Sequence, residues 1–184
     1  MTKKKTNSTR ISHIAGGREW QVLVPEGFEG EPTSVVDVLK RALAALVAEG
    51  EWMRGNWFIN AHPEVDPEDA FCNDWRACAD GFILVVTQGA HRRIGSDTTW
   101  GRRWHLDENA MSRDGGVGVL VLGARTALRT AANAALPQVM GGSGFYGVPM
   151  INDHYCPTRR AAVEWFTQAV ALAEHEATTQ EDNT

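Results

Sequence analysis

The fold is decided by the segment from Ile151 to Ala173, INDHYCPTRRAAVEWFTQAVALA. Pro157 cannot continue a regular helix from the polar residues before it, and the Thr158 hydroxyl can cap a new helix. Apolar residues then recur at helical spacing, at Val163, Phe166, Val170 and Ala173. The pattern predicts an amphipathic C-terminal helix.

An earlier helix has a defined start and end. Thr33 or Ser34 can cap it, and Asp37 stands three positions after Ser34, where an acidic side chain completes a capping box. Gly50 is suited to end it. Between these limits one apolar stripe predicts a buried face, formed by Val36, Leu39, Leu43, Leu46 and Val47.

A second helix is predicted from Asp66 to about Gln88. Asp66 can cap it, Pro67 suits its first position, and Glu68 and Asp69 suit the positive end of the helix dipole. Its final apolar residues are rich in β-branching, which leaves a strand as the alternative there. The apolar positions follow at steps of three and four, at Phe71, Trp75, Cys78, Phe82 and Val85 or Val86.

A third helix is predicted from the apolar residues after Gly116 to Leu136, and Pro137 closes it. Residues 141–147, GGSGFYG, are predicted to be a connector, because a glycine-rich phosphate cradle needs a strand before it and a helix directly after it. One face of this third helix has mostly small residues, which permit the close approach of another helix: Ala124, Leu128, Ala131 and Ala135.

The N-terminal residues 19–24 alternate between apolar and polar types and predict a short strand or hairpin. We therefore predict a mainly α fold, a compact bundle of about four helices with a long polar insert. The domain plan is a flexible basic tail at 1–13, a single helical domain at 14–176 with the insert at 91–116, and a flexible acidic tail at 177–184.

The composition of the chain limits the classes of protein to which it can belong. The chain has 184 residues, 43% of them apolar, which is enough for one domain with a core. A net charge of −5 argues against a general nucleic-acid coat, because phosphate neutralisation needs a basic face. No apolar run reaches the roughly 18 residues that cross a bilayer, and no secretory signal begins the chain, so we expect a cytoplasmic protein outside the membrane. Three cysteines favour a reducing compartment over a disulfide framework.

Several short motifs carry a family resemblance: Gly50-Glu51-Trp52 with Arg54-Gly55, then Cys78-Ala79-Asp80-Gly81, then Asn152-Asp153 before Thr158-Arg159. Over residues 33–175 the chain resembles an uncharacterised family of small proteins of actinobacteria and their phages. Those proteins have a Trp-x-x-Gly step, a Cys-x-x-Gly step and an Asn-Asp turn. The chain departs from them in having His154-Tyr155-Cys156-Pro157 where the family usually has Ala-Pro-Gly-Arg, and in a longer stretch between the second and third helices. The resemblance implies a mostly helical fold, is compatible with a phage origin and implies no activity.

The Asn152-Asp153 pair has two interpretations. Asn and Asp side chains accept hydrogen bonds from backbone amides two residues on, which would close a turn before the last helix. Alternatively, Asp153, His154 and Cys156 offer a base, an imidazole and a thiol on one loop, which suits a ligand or metal site.

A zinc site is a weaker hypothesis. The set Cys72, Cys78, His154 and Cys156 has the ligand types of tetrahedral zinc. Cys72 and Cys78 fall on different faces of the predicted helix, and Cys78 belongs to its apolar stripe. We therefore predict no metal and no cofactor.

The insert at residues 91–116 is the leading candidate for recognition. Arginines interleaved with tryptophans can bind a phosphate, a nucleotide base or a single strand by charge and stacking. A solvated loop whose tryptophans cover the core is the alternative. The candidate contacts are Trp100, Arg102, Arg103 and His105.

A second candidate group lies outside the insert. Trp52 precedes Arg54-Gly55 in a short non-periodic link, where it can line a cleft or fill the end of the bundle. The group comprises Trp52, Arg54, Asn152, Asp153 and His154.

Three functions follow from these features. The leading hypothesis is a non-enzymatic binding protein, compatible with a phage origin, that sequesters or blocks a host protein, a nucleotide or a nucleic acid. A small hydrolase or transferase using Asp153 and His154 is the enzyme alternative. The third is a structural or assembly protein, in which the small-residue helix face would pair chains into a homo-oligomer.

Overall fold

The computed structural model describes residues 8–15, 18–25, 30–48, 51–55, 58–60, 75–88, 90–93, 116–136 and 147–181. Over these residues the protein is mainly α, as predicted. The helices are α1 Val35–Ala48, α2 Ala79–Gln88, α3 Gly116–Ala135, α4 Val148–Tyr155 and α5 Arg159–Glu181. The strands are β1 Ser8–Ala15, β2 Arg18–Pro25, β3 Glu51–Trp52, β4 Phe58–Asn60, β5 Trp75–Ala77 and β6 Ala90–Arg93.

Three long helices form the frame of the core. α1, α3 and α5 pack against one another, α2 packs on α1 and α3, and the short α4 contacts α2 and α3. α2 is buried on every side from Phe82 to Val86, which explains why its sequence is almost wholly apolar. It also contacts β2, the central strand of the sheet β1-β2-β6, and β5, the central strand of the sheet β3-β5-β4.

The predicted start of α1 is confirmed in detail. The Asp37 amide donates to Ser34 Oγ at 3.1 Å, and Asp37 Oδ2 accepts from the Thr33 amide at 3.0 Å. Arg41 Nε lies 2.9 Å from Asp37 Oδ1, and this hydrogen bond is the main reason that the pKa of Asp37 is lowered.

The predicted cap and buried stripe of α5 are also confirmed. Thr158 Oγ1 accepts from the Ala161 amide at 3.2 Å. Arg159 then donates to the carbonyls of Leu46 and Val47 at 2.6 and 3.0 Å, so the first residue of α5 caps the carboxyl end of α1. The stripe includes the fully buried Phe166.

The second predicted helix is too long. Residues 75–77 form strand β5, which pairs with β3 in parallel and with β4 antiparallel, and α2 begins only at Ala79. Apolar spacing across 75–86 continues through this change of structure, so periodicity alone could not show it. Trp75 therefore lies on a strand, whereas the β-branched end of the segment is helical. The proposed cap at Asp66 lies outside the described residues.

Helix α4 was not predicted: about four helices were expected, and the described residues form five. Asn152 and Asp153 lie inside this helix, so the predicted Asx turn is wrong. Its eight residues follow Gly147 directly and include Pro149 in the first turn, which suits a helix start. Consequently a helix, not a turn, follows the glycine-rich segment.

The predicted N-terminal tail (1–13) and C-terminal tail (177–184) both include residues that belong to regular secondary structure. Residues 8–13 belong to β1, which forms an antiparallel hairpin with β2, so the predicted N-terminal hairpin is confirmed. Helix α5 continues to Glu181, and the hydroxyls of Thr178 and Thr179 in its last turns donate to the carbonyls four residues earlier. The first insert residues, 91–93, belong to β6.

The small-residue face of α3 is used within the chain. Ala124, Leu128 and Ala131 are buried in the core, where α3 packs against α5 and α1. This face is therefore not free to pair chains, and the assembly hypothesis loses the surface that suggested it. Leu128 also accepts a hydrogen bond at 2.7 Å from the indole of Trp165, a fully buried residue.

Gly123 sets the distance between α3 and α1. A Cβ at this position would lie 2.4 Å from Val35 Cγ2. We expect Gly123→Ala to lower the free energy of unfolding by about 1 kcal/mol, because overpacking exceeds the gain in helix propensity. In a Val35→Ala background the same change should be neutral or stabilising. Urea denaturation of the four proteins measures this, and stabilisation by Gly123→Ala alone would contradict the close contact.

Candidate binding site

Asn152 joins three segments of the chain. Its Oδ1 accepts from Trp52 Nε1 at 2.8 Å and from the Ala79 amide at 3.1 Å. Its Nδ2 donates to the Met53 carbonyl and to Asp153 Oδ1, both at 2.9 Å. An amide side chain has two donors and two acceptor lone pairs, so every hydrogen-bonding position of this buried residue is used. Asn152 is therefore a structural link, and its contact with a ligand stays a prediction.

Asp153 ties the same helix to the turn after β3. Its Oδ1 accepts from the Gly55 amide at 2.9 Å, and its carbonyl accepts from the Arg54 guanidinium. In a regular helix that carbonyl would accept from residue 157, but Pro157 has no N–H. Arg54 supplies the missing donor, and Gly55 reaches the carboxylate with a φ of +83°, a conformation that glycine adopts easily.

The exposed part of this link consists of Arg54, Gly55 and His154, with Asp153 half-buried beside them. We call these four residues the link surface. The backbone under the link surface is fixed on one side by Met53, directly after β3, whose amide donates to the Ala77 carbonyl at 3.0 Å, and on the other by α4. The arrangement presents a cation, an imidazole and a carboxylate on a rigid support.

The two described thiols are poor nucleophiles. Burial is the main reason that the pKa of Cys78 is raised to about 12 and that of Cys156 to about 11. Cys78 Sγ accepts from the Gly81 amide at 3.5 Å at the start of α2, and Cys156 Sγ lies 3.6 Å from the Thr158 carbonyl oxygen. The geometry therefore assigns both cysteines packing and capping positions.

We expect Cys78 and Cys156 to resist thiol reagents in the folded protein. In a Cys72→Ser variant at pH 8, labelling by Ellman's reagent should be at least about a hundredfold slower than in guanidinium, because the thiolate is the reactive form. Rapid labelling of either thiol in the native state would contradict their burial. A rate that follows the unfolding rate would support it.

A second polar pair lies at the start of α2. Asp80, whose side chain is 0% exposed, accepts from Arg125 Nε and Nη2 of α3 at 2.6 and 2.5 Å. The bidentate geometry and the helix amino terminus both stabilise a negative charge there. The pair locks α2 to α3 directly after Ala79, the residue that Asn152 binds.

The structure brings together the second predicted group. Trp52, Arg54, Asn152 and Asp153 form one hydrogen-bonded network, and His154 stands next to it in sequence. Within the described residues His154 makes a ring contact with Tyr155, at a centroid distance of 6.5 Å, and no hydrogen bond to Asp153. The first group, Trp100, Arg102, Arg103 and His105, lies outside the described residues.

The positions of the described cysteine and histidine side chains do not support the zinc hypothesis. Over the part of the chain that the structure describes, no three His, Cys, Asp or Glu residues are close enough together to hold a metal ion. Cys78, His154 and Cys156 therefore do not form a ligand set, and Cys72 lies outside the described residues.

Sequence reasoning missed the Asp80–Arg125 pair and the partners of Asn152. The signal for Asp80 was an acidic residue in an otherwise apolar segment, since a charge there needs a partner. Nothing in the sequence marked Arg125 as that partner. The link from Asn152 to backbone groups at Met53 and Ala79 has no side-chain signature at all.

Comparison of the chain with protein-family models, with curated proteins and with solved structures gives no match. Among the described helices, none combines the length and the apolar character that crossing a membrane requires.

Proposed function

We propose that this is a non-enzymatic binding protein, which acts by occupying a partner molecule. Its contact region would combine the Arg/Trp-rich residues 91–116 with the link surface. The observation that carries the proposal is that the Asn152–Asp153 network holds Arg54 and Gly55 in place, with His154 next to it on α4. A surface held in place before binding loses little conformational entropy when a partner binds.

The same network weighs against the hydrolase or transferase alternative. Hydrogen bonds direct Asp153 Oδ1 at Gly55 and Asn152, and the described contact of the His154 ring is with Tyr155, whereas a catalytic dyad would join this carboxylate to an imidazole. Cys156 is fully buried, and its thiol would have to be exposed to attack a substrate.

A cytoplasmic location and a phage origin belong to the proposed binding function as well, the phage origin on the family resemblance alone.

The test is native mass spectrometry of the purified protein followed by a retention assay. Immobilised protein, an Arg102→Ala/Arg103→Ala variant and an Arg160→Ala control are exposed to cell extract, and retained molecules are identified. Arg160 is a suitable control because its side chain is 90% exposed and its described ion pair is to Glu164, on its own helix. A molecule that the wild type and the control retain, and that the double variant loses at an unchanged melting temperature, supports the proposal. Equal retention by all three proteins contradicts it.

A further inference from the structure

We draw no further inference here: the strongest candidate, the exposed apolar patch of Val119 and Leu122 near the start of α3, carries none, because nothing in the part of the chain that the structure describes shows what covers it.

Discussion

Replacing Arg125 by Met is expected to lower the free energy of unfolding by about 3 kcal/mol, the low end of the range for breaking a buried ion pair. The reason is that Asp80, at 0% exposure, would keep its charge without its bidentate partner. The low end applies because the Arg125 side chain is 23% exposed, so water can reach that end of the pair. Chemical denaturation followed by circular dichroism measures the change.

Two controls separate the charge from the lost packing. Asp80→Asn together with Arg125→Met removes both charges, and we expect it to recover part of the stability, since no uncompensated charge remains. Arg160→Met removes an arginine of an exposed pair with Glu164 and should cost less than about 0.5 kcal/mol. Equal losses for Arg125→Met and Arg160→Met would contradict a buried pair.

Replacing Asn152 by Ala is expected to cost about 3 kcal/mol of stability, because several polar groups lose their partner at once. The buried Ala79 amide, the Met53 carbonyl and the Trp52 indole would each lose a hydrogen bond of 2.8–3.1 Å. Denaturation measures the total effect. Hydrogen exchange at the Ala79 amide measures the local effect, and we expect this amide to be less protected from exchange in the variant.

Asn133 provides the matched control for that change. It lies on α3 with an exposed side chain, so Asn133→Ala should change stability by less than about 0.5 kcal/mol. An Asn152→Ala protein as stable as the Asn133→Ala protein would mean that the network does not contribute to the fold. Unchanged protection of the Ala79 amide would lead to the same conclusion.

The parts of the fold that could be predicted from the sequence are those with local causes. The Ser34–Asp37 capping box, the Thr158 cap and the burial of Leu39, Leu46 and Phe166 depend on residues within a few positions of each other. Val47 was predicted on the buried stripe of α1 and is exposed. The errors occurred where local signals were ambiguous. Residues 75–88 have one continuous apolar pattern, yet sheet pairing makes their first three residues a strand. The hydrogen-bonding capacity of the Asn152 and Asp153 side chains suggested a turn before Pro157, although Pro149 is compatible with the first turn of α4.

The candidate site was predicted only as a set of residues. Sequence motifs selected Trp52, Arg54, Asn152 and Asp153, but the pattern could not assign their roles. Whether an asparagine is a ligand contact or a structural link depends on whether its donors and acceptors are already used, and partners distant in the chain decide that.

The sequence by itself determined where α1 and α5 begin, that their faces towards the core are apolar and that a mainly α fold can form, because capping and periodicity act over one or two turns. The tertiary structure decided which polar groups meet. Asn152 binds Met53 across 99 positions and Arg125 binds Asp80 across 45, and β6, in the middle of the chain, joins the N-terminal hairpin. Such pairs form because folding brings them together in a buried setting, where an unpaired polar group is costly, and no local pattern records that proximity.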